Sequence, residues 1–114
     1  MDKRFLMYEG FNKDAKVIFQ PLQELYGYKI KYCSDSGISL ENQRCVLDIS
    51  YETGMQVWLK VPKYNIEIML PKLAMIKGEN VYKKYKEIVS EVNFNNLKIF
   101  VTYLNDNFSI ELSE

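Results

Sequence analysis

The stretch SYETGMQVWLKVPKYNIEI, residues 50–68, decides the fold because its apolar positions repeat every two residues. That period is typical of a β-strand with one buried face. One face receives Met55, Val57, Leu59 and Val61, and the other receives Gln56, Trp58 and Lys60. The only tryptophan of the chain therefore shares a strand face with a glutamine and a lysine.

Three further strands are predicted around this one from the same alternation. They are YKIKYC (28–33), RCVLDISY (44–51) and YNIEIML (64–70). The short turns ETG (52–54) and PK (62–63) indicate antiparallel neighbours, because a parallel connection needs a dozen residues or more. The pattern directs Tyr28, Ile30 and Tyr32 of the first strand, and Tyr64, Ile66, Ile68 and Leu70 of the last, toward the core. SDSGISLENQ (34–43) is predicted to be a loop.

Two amphipathic helices accompany the strands. Residues 11–27 carry apolar side chains at helical spacing, interrupted by Pro21, which either kinks the helix near Gln20 or splits it. The continuous apolar stripe favours the kink. The second helix is marked by a stripe of Val81, Tyr85, Ile88, Val89 and Val92. Residues 71–80 are compatible with an extended crossover or an irregular turn, since Pro71 ends the preceding strand.

The end of the chain is predicted to be a hairpin. LKIFVTYL (97–104) and FSIEL (108–112) read as strands around the turn-prone triplet NDN. The order of elements is then α-β-β-β-β-α-β-β within a single domain, residues 1–114. This order predicts an α+β fold: a two-layer sandwich with an antiparallel-dominated sheet of about six strands and two helices on one face.

Composition excludes several classes of function. The 114 residues have no net charge and no histidine, so nothing predicts nucleic-acid or membrane partners, His dyads or His metal ligands. Cys33 and Cys45 lack the spacing of a paired-cysteine zinc site and are predicted to be free thiols. With no apolar run of signal-peptide or membrane-span length, we expect a cytoplasmic protein. No catalytic residue, cofactor or metal is predicted.

The most informative candidate site is the sheet face that carries Trp58. If every strand presents its more apolar side to the helices, that face also holds Gln56, Lys60, Met69, Phe100 and Leu104. Large apolar groups in a polar frame are typical of protein interfaces. The competing interpretation is that scattered apolar residues and cross-strand pairs on a wet sheet face serve stability alone.

The order of elements, with an amphipathic helix ending in EIVSEVNFNN before the last hairpin, resembles the type III secretion chaperone-like fold over residues 12–112. The chain stops at FSIELSE, without the longer C-terminal helix of many such proteins. The resemblance implies non-enzymatic binding of other proteins and, for many members, pairing with a second copy. It carries no site residues.

The function predicted from the sequence is a non-enzymatic protein-binding module, of chaperone, adaptor or toxin-neutralising type, that uses the sheet face around Trp58. The alternative is a small-ligand-binding domain or an unrecognised enzyme with its site between the sheet and the segment Leu73–Asn80, the least regular stretch. A homodimer, in which the partner is a second copy, is a further possibility.

Overall fold

The computed structural model of the chain describes residues 10–51, 55–91 and 93–113. Two helices open the described chain, α1 (Phe11–Ile18) and α2 (Gln20–Tyr26). Five strands follow: β1 (Lys29–Ser34), β2 (Gly37–Glu41), β3 (Val46–Tyr51), β4 (Met55–Val61) and β5 (Ile66–Met69). A 3₁₀ turn (Pro62–Tyr64) joins β4 to β5, and the helices α3 (Leu70–Lys77), α4 (Glu79–Val89) and α5 (Phe94–Leu112) complete the fold. The turn predicted at 52–54 lies outside the described residues.

The five strands form one antiparallel sheet in the order β1-β2-β3-β4-β5, so each strand pairs with its neighbour in sequence. The α+β class and the antiparallel sheet are therefore confirmed. One face of the sheet, the inner face, is buried: it carries Ile38, Leu40, Leu47, Ile49, Val57 and Leu59. The helices α1 and α3 pack against opposite halves of the sheet, on β1 and β2 and on β4 and β5 respectively.

The predicted count of about six strands is wrong in two places, at 34–43 and at 97–112, and the described chain has five helices where two were predicted. The predicted loop at 34–43 contains β2, in which Ile38 and Leu40 are buried at strand spacing. Gly37 opens this strand, and a Cβ added there would lie 2.4 Å from the carbonyl oxygen of Ile49 on β3. Only glycine allows the two backbones to come this close.

The predicted C-terminal hairpin is the helix α5. Aromatic and β-branched residues in 97–104 favoured a strand, but burial follows the helical spacing of three and four residues. The buried side chains are Leu97, Phe100, Val101, Tyr103, Leu104, Phe108 and Leu112. Asn93 caps the helix by accepting a hydrogen bond from the Asn96 backbone N–H at 2.9 Å. The NDN triplet is helical, and the kink comes after it, at Phe108.

The N-terminal helix is split at Pro21, not kinked. Phe19 leaves helical geometry and Pro21 lies in the first turn of α2, where its missing N–H removes no intrahelical bond. The apolar stripe nevertheless continues across the break, since Phe11, Ala15, Ile18, Phe19 and Leu22 are all buried.

The segment around the second predicted helix is more regular than expected. Residues 71–80 are neither a crossover nor an irregular turn: they form most of α3, then Gly78, then the start of α4. On α4, Tyr85 and Ile88 are buried as the stripe predicts, while Val92 lies outside the described residues. On the strand before α3, Ile66 opposes the inner-face residue Val61, as the prediction of inward side chains requires, but it is 47% exposed. That prediction is wrong for Tyr64, which lies in the 3₁₀ turn and is 65% exposed.

Candidate functional site on the outer face of the sheet

The sheet face opposite the helices, here called the outer face, carries a row of side chains that crosses all five strands. Tyr32 pairs with Ser39, Ser39 with Asp48, Asp48 with Trp58, and Trp58 with Met69. Directly opposed residues of antiparallel strands point to the same side of the sheet. The row therefore runs through the middle of the outer face.

Trp58 lies on the outer face, as the alternation predicts, and its side chain is partly buried. Its strand neighbours Val57 and Leu59 point to the inner face, where they are 0% and 4% exposed. Trp58 is flanked by Asp48 on β3 and Met69 on β5. The indole thus occupies a central position of the outer face, between a carboxylate and a thioether.

Tyr32 reaches the outer face through a β-bulge that strand alternation did not predict. The register of β1 against β2 shifts between Ile30 and Tyr32, so Lys31 is the extra residue. Beyond it, Tyr32 turns outward and is 58% exposed, while Cys33 turns inward and packs against the core. The sequence carries no signal of this bulge, because Tyr28, Ile30 and Tyr32 keep a period of two.

A groove of about 280 Å³ lies between Tyr32 and Trp58 on the outer face. Between these two aromatic side chains, here called its walls, the groove is lined by residues of β2, β3 and the turn before β2, and the side chains that face it there are small or polar. The lining residues are Tyr32, Ser36, Gly37, Ile38, Ser39, Asp48, Ile49, Ser50 and Trp58. The groove, here called the Tyr32–Trp58 groove, is open to solvent along the sheet surface.

Hydroxyl groups hold the Tyr32 wall in place. The Tyr32 hydroxyl donates to Ser34 Oγ at 2.9 Å, and Ser34 Oγ lies 3.0 Å from Ser36 Oγ. The Ser36 backbone N–H also donates to Ser34 Oγ, at 3.2 Å. This chain of contacts joins the tyrosine to the β1–β2 turn and restricts its ring.

The charges beside the groove are arranged around Lys60. Its Nζ lies 2.7 Å from Asp48 Oδ2 and 3.8 Å from Glu67 Oε1, so one ammonium is shared by two carboxylates. Burial tends to raise the pKa of Asp48, but hydrogen bonds from Lys60 and Ser39 outweigh it and the pKa is lowered. Asp48 in turn raises the pKa of Lys60. Both groups stay charged at neutral pH.

The structure brings together four of the six predicted partner-binding residues. Trp58, Gln56, Lys60 and Met69 share the outer face, with Gln56 exposed and the other three partly buried. The placement of Phe100 and Leu104 on this face is wrong. Both are 0% exposed on α5, because the segment that holds them is a core helix and not an outer strand.

The other candidates from the sequence lie apart from the Tyr32–Trp58 groove. Cys33 and Cys45 are free thiols, and burial raises the pKa of each, which leaves less of the reactive thiolate. The described residues contain no cluster of His, Cys, Asp and Glu that could hold a metal ion. Residues 73–80 do not line the Tyr32–Trp58 groove. Among the described residues 10–51, 55–91 and 93–113, no helix combines the length and apolarity needed to cross a membrane.

No protein-family profile, no curated protein sequence and no solved structure matches this chain. The resemblance to the type III secretion chaperone-like fold therefore stays a prediction. The residues of this chain alone define the candidate site.

Proposed function

We propose that this chain is a non-catalytic protein-binding module whose working surface is the outer face of the sheet, centred on Trp58. One observation carries the proposal. In the part of the chain that the structure describes, the buried apolar side chains of the strands lie on the inner face, and the outer face presents the only tryptophan beside Met69. Tryptophan and methionine are enriched at the centres of protein interfaces.

The surroundings of Trp58 fit that role. Gln56, Lys60 and Glu67 border it with polar groups, which is the arrangement of an apolar centre with a polar rim. A partner chain that covers this face would exclude water from Trp58 and Met69. The border residues would fix its orientation through hydrogen bonds and charge.

The partner can be located by photo-cross-linking in the cells that produce the protein. A benzoylphenylalanine at position 56 reports on the outer face, and one at position 84, exposed on α4, is the control. We expect a cross-linked protein, identified by mass spectrometry, from position 56 and not from position 84. Cross-links between two copies of this chain would show that the partner is a second copy and that the protein forms a homodimer. Equal cross-linking from both positions would contradict the proposal.

The affinity of the purified partner then tests Trp58 itself. Trp58→Ala should weaken binding by about 2 kcal/mol or more, the size of an aromatic hot spot. Ile76→Ala is the matched control, because Ile76 is a large apolar side chain on α3 that is 76% exposed. It should leave the affinity unchanged in titration calorimetry. An affinity that survives Trp58→Ala would place the interface elsewhere.

A further inference from the structure

The Tyr32–Trp58 groove combines two aromatic walls with one charged group on its floor. Asp48 is the one charged residue among the described residues that line it. Three strand spacings of about 4.8 Å separate the backbones of Tyr32 and Trp58, so the groove spans the width of β2 and β3. A group that enters the groove therefore meets an aromatic side chain on each side and a carboxylate below.

Asp48 retains capacity for another donor. A carboxylate offers about four acceptor positions, and Lys60 and Ser39 use two of them. The side chain of Asp48 is 34% exposed, so the remaining positions can be reached from the groove. An anion would be repelled here, and a neutral group would gain less from the same contacts than a cation would.

Lys60 does not cancel the negative charge of the groove. Asp48 and Glu67 share the single positive charge of Lys60. Lys31 also acts on Asp48, but its Nζ lies 3.8 Å from Glu41 Oε2, so the three carboxylates and two ammonium groups together carry one net negative charge. Lys60 bridges the two carboxylates from β4, so an incoming cation need not displace it. The local charge thus complements a cationic ligand group.

We propose that the groove receives the guanidinium group of an arginine side chain that the partner protein inserts between Tyr32 and Trp58, with Asp48 as its counter-charge. This inference rests on the proposed function of the outer face. Guanidinium is planar, is weakly hydrated for a cation, stacks on aromatic rings and donates two parallel hydrogen bonds to a carboxylate. An ammonium group is more strongly hydrated and cannot form the paired bonds, so arginine fits better than lysine.

The test uses three capped tripeptides of sequence Gly-Xaa-Gly, in which Xaa is arginine, its neutral isostere citrulline, or lysine. The full chain is labelled with ¹⁵N, and binding is followed by NMR at the Trp58 indole N–H and the Ser39 and Ser50 amides. We expect saturable shifts with the arginine peptide and at least about tenfold weaker binding of citrulline, since a hydrogen bond to a charged group is lost. The affinity of the lysine peptide should lie between those of the arginine and citrulline peptides. Equal affinity for arginine and citrulline would overturn the proposal.

Asp48→Asn and Glu67→Gln form a matched pair of variants. Both remove a carboxylate that contacts Lys60, but only Asp48 lines the groove. Asp48→Asn should weaken binding of the arginine peptide about tenfold or more, while Glu67→Gln should leave the affinity within about twofold of that of the unaltered protein. Equal losses in the two variants would indicate general attraction to a negative surface and would contradict the proposed site. The NMR spectrum of each variant also checks that the fold is retained.

The two proposals fail in different ways. If Trp58→Ala weakens binding of the cross-linked partner while the arginine and citrulline peptides bind with equal affinity, the protein-binding surface is supported and the arginine site is wrong. If the arginine peptide binds more tightly than the citrulline peptide but position 56 cross-links to no protein, the guanidinium site is supported. The proposal that a partner protein supplies the guanidinium group is then wrong. If neither result is obtained, both proposals are wrong.

Discussion

At the scale of single residues, the outer face depends on which way a few side chains point. Trp58 points outward because its strand alternates without interruption, and Tyr32 points outward because the bulge at Lys31 reverses the alternation of β1. Without that bulge, Tyr32 would face the core and the groove would lose one wall. One extra backbone residue therefore creates the pair of aromatic walls.

The Asp48–Lys60 pair gives a prediction at the same scale, through the pH dependence of stability. The folded pKa of Asp48 lies below the value of 3.8 expected for the unfolded chain. The carboxylate therefore adds stability above about pH 4, and this contribution is lost as the pH falls through the folded pKa, because the unfolded state binds the proton first.

Urea unfolding of Asp48→Asn tests this dependence. Both side chains of the pair are 34% exposed, so we expect a loss of at most about 1 kcal/mol at pH 6. The difference from the unaltered protein should shrink below about pH 4. Glu67→Gln, which removes the more distant carboxylate at 3.8 Å, should cost less at pH 6. A loss for Asp48→Asn that is as large at pH 2.5 as at pH 6 would contradict this account.

At the scale of elements, the end of α5 is held by the loop between β2 and β3. Arg44 donates to the carbonyl oxygens of Glu111 and Ser113 at 3.0 and 2.8 Å, and Asn42 donates to Leu112 O at 3.1 Å. The last carbonyls of a helix lack intrahelical partners, and a cation near them also interacts favourably with the helix dipole. This loop thus fixes the C-terminal end of α5 against the sheet.

Thr102 provides a test of whether 97–112 is a helix in solution. It is exposed on α5, so its replacement reports on backbone preference more than on packing. In a helix, Thr102→Ala should raise the free energy of unfolding by about 0.5 kcal/mol. In a strand the same change should lower it, because threonine is the better strand former.

The free energy of unfolding is measured by chemical denaturation of Thr102→Ala and of the unaltered protein. The ¹³Cα chemical shifts of residues 97–112 report independently whether the segment is helical. Thr102→Gly serves as the control: in a helix it should be less stable than Thr102→Ala by about 1 kcal/mol. A lower stability of Thr102→Ala than of the unaltered protein would support the hairpin over α5.

At the scale of the whole molecule, the sheet has one face that is buried in the core and one face that is partly exposed. Inner-face residues from all five strands join the apolar sides of the helices in one cluster of buried side chains. Phe100 belongs to this cluster, where its ring contacts the rings of Tyr85 and Tyr103 with centroids 6.5 and 6.1 Å away. Trp58 stands on the other side of the same sheet.

Two alanine variants should separate these roles. Phe100→Ala removes a 0% exposed ring and should lower the free energy of unfolding by about 3–5 kcal/mol. Trp58→Ala loses mainly cross-strand contacts with Asp48 and Met69 and should cost about 1 kcal/mol. Iodide should quench Trp58 fluorescence in the free protein. Comparable losses of stability in both variants would place Trp58 in the core.

The sequence by itself determined the central part of this fold. Strict alternation over 55–61 requires one wet face and one buried face, and a two-residue period admits no other assignment once the register is fixed. It also indicated α4 and the apolar stripe of α1 and α2. These predictions succeeded because the local period of hydrophobicity and the burial in the fold agree.

Only the tertiary structure decided the rest. The segment at 97–104 is rich in strand-forming residues, yet its buried positions at 97, 100, 101 and 104 make it a helix once α1, α2 and α4 surround it. Packing outweighs intrinsic propensity in such segments, because each buried apolar side chain contributes more than a residue's backbone preference. The bulge at Lys31 likewise appears only when β1 pairs with β2, since the contacts across strands, and not the strand alone, set the register.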